Sequence, residues 1–186
     1  MNHQNEAAED RRAVQNVTIR TRQMAVAFLF HGGKVLLMKK QASNWQRQTM
    51  PFYSGIGGHM ETDELNDPID ACYREIEEET GLKREDVSEL KLKYILLRLK
   101  GDEMRQQYVY VGETKRANVV ESDEGELGWH RPEEVGGLRS SAIHHAVFAH
   151  YIENPDREHI FSGTMSIDAD GGPLVHWNAL IDPEVF

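Results

Sequence analysis

Residues 57–82 read GGHMETDELNDPIDACYREIEEETGL, from Gly57 to Leu82. Asp67 is a good helix N-cap, and Pro68 suits the first helical position. Ile69, Cys72, Tyr73 and Ile76 then recur at the spacing of a core-facing helical stripe. Thr80-Gly81-Leu82 ends the helix, because Gly81 is free to turn left-handed after the last turn. On this helix Glu75, Glu78 and Glu79 stand at i, i+3 and i+4 and share one face. Carboxylates so placed repel, each pair costing up to about 0.5 kcal/mol even in water. A hard cation reverses the sign, since Mg²⁺ or Mn²⁺ takes oxygen ligands and keeps positions for water and substrate phosphates. Arg74, beside Glu75 and four residues before Glu78, can hold one carboxylate oxygen with its fixed fork of donors and leave the other to a metal. Gly55, Gly57 and Gly58 let the backbone approach a ligand closely, and a carbonyl there is a further hard oxygen. Taken singly, an acidic helix face is more often solvated surface and a glycine run an ordinary loop. Together they describe a cluster that recruits a metal, and a metal that recruits a diphosphate.

Around this stretch the chain alternates strands and helices. Val17 to Phe30 is β-branched and apolar, His31-Gly32-Gly33 is a turn signal, and Lys34 to Lys39 reads as the returning strand. Gln41 to Met50 reads as a polar loop, and Pro51 to Gly58 is rich in glycine and aromatics. Lys91–Leu99 and Gln107–Glu113 read as strands around a Gly101-Asp102 turn, and Glu126–His130 as a short strand. Ser140 to Glu153 reads as a second helix with Ile143, Val147 and Tyr151 on one side. Ile160–Ile167, a turn at Asp170-Gly171-Gly172, and Leu174–Trp177 form a terminal hairpin. Strands interleaved with two helices predict an α/β fold with one mixed sheet between helices. The expected organisation is a polar arm over 1–16, the main domain over 17–155, and a hairpin extension over 156–186 packed on that domain.

The chain of 186 residues has 39% hydrophobic and 28% charged residues, enough for a core and against wholesale disorder. Its formal charge of −10 makes it a poor partner for nucleic acid or an anionic membrane. A phosphate substrate remains accessible through a bridging cation. The single cysteine, Cys72, forms no intrachain disulfide and fits a reducing compartment. The longest apolar run, Met24 to Phe30, falls short of the roughly 20 residues of a membrane helix. Met1 to Asp10 lacks the apolar centre of a signal peptide, so a cytoplasmic protein is expected. Nine histidines invite a zinc reading, but His144 and His145 point about 100° apart on a helix, and with one thiol no standard zinc spacing exists. His59, inside the glycine turn, is the one histidine placed to touch a phosphate.

Read as a whole, residues 58–82 resemble the Nudix box: a glycine, five residues, a glutamate, seven residues, then Arg-Glu-aliphatic-any-Glu-Glu-any-Gly-aliphatic. Arg74, Glu75, Ile76, Glu78, Glu79, Gly81 and Leu82 match the second half, and Gly58 and Glu64 the first. Nine residues rather than seven separate Glu64 from Arg74. The extra two fall in the loop around Leu65-Asn66 and put the role of Glu64 in question. The resemblance implies the Nudix-type α/β/α sandwich and hydrolysis of a nucleoside diphosphate linked to another group, with Mg²⁺ or Mn²⁺ as cofactor. It implies that Glu78 and Glu79 are metal ligands and Glu75 a ligand or the base. Arg74 would orient the glutamates and the Gly57 carbonyl would add a ligand. Some members draw a base or ligand from a later acidic loop; here Glu126 is the first candidate and Glu124 the second. A homodimer is a further family expectation.

Substrate signatures are mainly absent. The proline of common ADP-ribose hydrolases, about 15 residues past the box glycine, is missing at Leu96-Leu97, and Arg98 stands where diadenosine-polyphosphate hydrolases carry a tyrosine. The signatures of NADH-type and coenzyme A enzymes are missing too. Elimination leaves a nucleoside triphosphate, oxidised ones included, cleaved to the monophosphate and pyrophosphate. ADP-ribose or a nucleotide sugar is the alternative substrate, and a non-catalytic nucleotide sensor the alternative function. Trp45, Phe52 and Tyr53 precede the glycine turn and are candidates to stack on a base. Gly58, His59 and Arg98 are the further substrate-binding candidates.

Overall fold

Alternation along the first two strands builds both faces of the molecule. In β1 (Arg20–His31) Ala25, Ala27 and Leu29 point to one side and Phe28 and Phe30 to the other. In β2 (Lys34–Lys40) Leu36 and Met38 join the first set, Val35 and Leu37 the second. A sheet apolar on both faces must be covered on both. Helix α1 (Pro68–Thr80) covers one through Ala71, Cys72 and Ile76; helix α3 (Ala142–Glu153) covers the other through Ile143, Val147 and Phe148. The structure, a computed structural model, describes residues 18–40, 51–154 and 158–182. The expected arm over 1–16, the loop 41–50 and Trp45 lie outside the described residues.

The remaining elements are β3 (Phe52–Ser54), β4 (Ile56–His59), β5 (Val87–Lys100), β6 (Glu103–Thr114), β7 (Glu126–His130), the short helix α2 (Pro132–Val135), β8 (Phe161–Ile167) and β9 (Pro173–Ala179). The sheet runs β3-β2-β1-β6-β5-β8-β9, with β4 paired to β1 and β7 to β2. The β1–β6 and β5–β8 pairs are parallel and the others antiparallel, so the sheet is mixed. The terminal hairpin β8–β9 extends it beyond β5, where Met165, Val175 and Trp177 pack against the α3-side core.

Several elements depart from the sequence expectations in instructive ways. The glycine-aromatic segment 51–58 holds two short strands. Gly57 pairs with Val26 at φ +143°, where a Cβ would lie 2.2 Å from the Ala25 carbonyl oxygen, so only glycine lets β4 lie this close to β1. Asp67 occupies the N-cap of α1, yet its carbonyl, not its side chain, accepts from Asp70 N–H at 3.1 Å. Gly81 closes α1 at φ +68°, donating to the Glu77 carbonyl, as the sequence predicts. Helix α3 starts two residues later than expected, because Ser141 is its cap and accepts from His144 N–H.

His144 is one of the histidines to which the sequence assigns no role. The Gly55 N–H donates to its Nε2 at 2.7 Å, so the ring proton sits on Nδ1 and faces Ser140 Oγ at 2.8 Å. Ser140 Oγ in turn donates to the Tyr53 carbonyl at 2.8 Å. This chain ties α3 to the glycine segment that shapes the site. Burial drives the His144 pKa down to about 3, so it stays neutral and accepting at pH 7. Its contribution to stability is complete above the ordinary value near 6.5 and is lost as pH falls toward 3, up to ~4 kcal/mol. Denaturant titrations should show wild type losing more stability than His144→Gln between pH 7 and pH 4. Equal losses in the two proteins would contradict this role.

Candidate active site

The box carboxylates lie where α1 meets the sheet, and the same turns that bury Cys72 and Ile76 draw two of them inward. Glu79 is 2% exposed and Glu75 8%. Glu79 Oε2 accepts the Gly57 N–H at 2.8 Å, while Oε1 is buried with no hydrogen-bond partner among the described residues. Lys40 Nζ stands 3.6 Å from that orphan oxygen. Loss of hydration pushes the Glu79 pKa up to about 8, with Glu124 adding to the rise and Lys40 and the Gly57 amide opposing it. Burial likewise raises Glu75, against the pull of Arg74. Gly58 makes room for that side chain, since a Cβ there would lie 2.7 Å from Glu75 Oε2.

Arg74 organises the acidic side chains. Its Nε and Nη2 donate to the two oxygens of Glu64 at 2.7 and 2.9 Å, a bidentate pair. Its Nη1 reaches Glu75 Oε1 at 3.0 Å and Glu78 Oε2 at 2.9 Å, and Nη2 also reaches the His59 carbonyl at 3.1 Å. The two-residue insertion is therefore absorbed in the turn between Glu64 and α1, leaving Glu64 against Arg74, which holds its carboxyl below the usual range.

The acidic loop before β7 is fastened to the end of α1, where the Val120 N–H donates to the Thr80 carbonyl at 2.8 Å. This brings Glu124 beside Lys40, with its carboxylate 3.1 Å from Nζ. That contact holds the Glu124 carboxyl low, so Glu124 keeps its charge next to Glu79. Glu126 pairs instead with Lys39 at 2.7 Å, its register neighbour across β2–β7. Lys40 carries no motif signal in the sequence, and neither Ser140 nor His144 announces its role there.

Glu124, Lys40 and Gly57 line one end of a cavity of about 650 Å³ between the sheet and α3. Phe52 and Tyr53 line its wall, and Arg98 and Arg105 its opposite end. His59 lines a neighbouring shallow cleft, where Arg22 Nη1 lies 2.9 Å from its Nε2.

The donor set suits a divalent cation: carboxylates, one of them with a buried oxygen that has no hydrogen-bond partner among the described residues and only the Lys40 ammonium at 3.6 Å, beside a glycine backbone. The set is not a closed cage. Glu78 is 59% exposed and turned to Arg74, and among the described residues no three acidic, histidine or cysteine side chains converge on one point.

The NUDIX domain family model matches residues 20–152. No curated protein matches the chain. Among solved structures, a mutator MutT protein from Bacillus halodurans is 23% identical with a TM-score of 0.59, the alignment covering 88% of this chain and 99% of that one. A C. elegans Ap4A hydrolase is 15% identical, covering 72% and 96%, at TM-score 0.56. An ADP-ribose pyrophosphatase from Streptococcus suis is 16% identical, covering 74% and 96%, at TM-score 0.52. These identities establish a shared fold. With the family match spanning most of the chain, and the box residues gathered around Arg74, the chain belongs to the Nudix hydrolase family.

Proposed function

We propose that the protein hydrolyses a nucleoside diphosphate linked to another group, using Mg²⁺ or Mn²⁺. The observation that carries this reading is the buried Glu79 carboxylate, with one oxygen held by Gly57 and the other without a hydrogen-bond partner among the described residues, behind the Gly57, Lys40 and Glu124 wall of a cavity large enough for a nucleotide. Glu79, Glu75 and Glu78, with the Gly57 carbonyl, would hold the cation. A bound cation neutralises the diphosphate and raises the acidity of a coordinated water. The protein's own part is positional: Arg74 fixes Glu75 and Glu78, Lys40 adds a positive charge beside the cleaved phosphates, and the α3 wall excludes water. Glu124 is the better candidate for the base, because it lines the cavity beside Lys40 and Gly57, whereas Glu126, paired with Lys39, does not line it. Phe52 and Tyr53 offer the aromatic surface for a base. Residues 17–155 would form the hydrolase unit, with the hairpin added to the same core.

Within this class a nucleoside triphosphate is the simplest substrate and ADP-ribose or a nucleotide sugar the second. The test is product analysis from a nucleotide panel with Mg²⁺. Turnover is expected, with Glu124→Gln losing at least about tenfold more activity than Glu126→Gln. Tight binding without turnover across the panel would replace the enzyme by a nucleotide sensor.

A further inference from the structure

We infer that the end of the cavity remote from Glu79 is a second anion site, built from Arg98 and Arg105 with Lys100 at its rim. It would take a phosphoryl group that the substrate carries away from the anhydride being cleaved. The inference rests on the hydrolase reading above and narrows it to nucleotides bearing such a further phosphate.

Strand register places the cluster. On β5, Tyr94 and Leu96 are buried in the α3-side core, and the two-residue period carries the same face on to Arg98 and Lys100. On β6, Val111 and Val109 are followed on that face by Gln107 and Arg105. Arg98 is the direct register partner of Arg105, and Arg105 of Arg22 on β1, so three arginines stand side by side across three strands. Like charges directly opposite one another in a sheet are destabilising. Here they are gathered in a protein whose net charge is −10.

A single carboxylate is shared by two of the three. Glu103 takes both Arg22, at 3.0 Å, and Arg105. That leaves Arg98 with no hydrogen bond or ion pair among the described residues, although it is half-buried and lines the cavity. Burial and the facing Arg105 weaken its hold on its proton, which measures the strain of keeping a cation there. A guanidinium carries five donors and no acceptor, so one that is half-buried and unpaired calls for an oxyanion. Two flanking cations suit a phosphoryl dianion better than a single carboxylate.

The separation indicates where that phosphate sits. Gly57, the partner of Glu79, pairs with Val26, while Arg22 and Arg105 lie four residues further along β1 and β6. At roughly 3.3 Å per residue the arginine row is about 13 Å from the Gly57 end. That is beyond the reach of the β- or γ-phosphate at the cleaved bond, and near the distance of a ribose phosphate or of a far phosphate in a long chain.

The experiment compares substrates that differ only there. One arm pairs coenzyme A with dephospho-coenzyme A and NADP⁺ with NAD⁺, which tests a ribose phosphate. The other pairs diadenosine tetraphosphate with diadenosine diphosphate, which tests a chain phosphate. With Mg²⁺, kcat/KM is expected to favour the phosphate-rich member of at least one arm by about tenfold or more. Arg98→Gln should bring that ratio close to one, mainly through KM, and Arg98→Lys should restore part of it. Because Arg98 is unpaired and faces a like charge, Arg98→Gln should melt no lower than wild type. Absence of preference in both arms, or a preference that survives Arg98→Gln, overturns the second site. If no nucleotide is hydrolysed at all, the hydrolase reading fails by itself, and metal-free calorimetry then decides the anion site. Adenosine 3′,5′-bisphosphate binding about tenfold tighter than adenosine 5′-monophosphate, with the gain lost in Arg98→Gln, supports it; equal binding overturns it.

Discussion

Glu79→Gln is expected to reduce kcat by at least about 10³-fold at saturating Mg²⁺ while leaving the protein folded and no less stable. The two halves of this expectation share one cause. Glu79 is 2% exposed, and its Oε1 has no hydrogen-bond partner among the described residues. A buried carboxylate left so poorly satisfied is a cost to the fold unless something else engages it. Glutamine has the same shape and can still accept the Gly57 N–H, so the fold keeps its contact and loses a group whose ionised form is disfavoured there. What it cannot supply is an anionic ligand to a divalent cation. Activity and melting temperature measured on the same preparation separate this outcome from misfolding. A variant with near-normal turnover would remove Glu79 from the metal set.

The second large effect is on stability. Gly57→Ala should cost about 3 kcal/mol or more in denaturant unfolding, because two penalties fall on one atom. The residue sits at φ +143°, and its new Cβ would meet the Ala25 carbonyl oxygen at 2.2 Å and Val26 Cα at 2.7 Å. Both are backbone atoms of β1, so no side chain can swing aside. Relief requires β4 to move away from β1, which would also carry the Gly57 N–H away from Glu79. Activity should therefore fall with stability. A loss below about 1 kcal/mol would mean that this strand is free to shift.

The core of this reading was legible in the sequence because it is local. Period and caps mark α1, and the box marks Arg74, Glu75, Glu78 and Glu79 within one helix, where spacing alone settles which side chains are neighbours. Legibility fails where contacts depend on strand register. β4 looks like loop because glycine has low strand propensity and β3 because it is only three residues long, and only their pairing with β1 and β2 makes them strands. The choice between Glu124 and Glu126 hinges on how the loop after β6 docks on the end of α1, a contact carried by one backbone hydrogen bond from Val120. Lys40, at the end of β2, meets Glu79 from across the sheet, and nothing in its local sequence announces that. His144 shows the same limit. The spacing of the histidines only excludes a zinc site, yet the partners of His144 are Gly55 and Ser140, and it holds two distant segments together. Glu64 is the reverse case: the sequence irregularity beside it casts doubt that the bidentate pairing with Arg74 removes.

The central claim is that the α1 carboxylates beside the Gly57 end of the cavity grip a divalent cation. Its most direct test is an anomalous difference map from crystals soaked in Mn²⁺. The expected result is a peak within ligand distance of Glu79, with Glu75 or Glu78 contributing and Glu79 drawn from Lys40 toward the ion. A map with no peak there, and with Glu79 still held by Gly57 and Lys40 at millimolar Mn²⁺, would contradict the account.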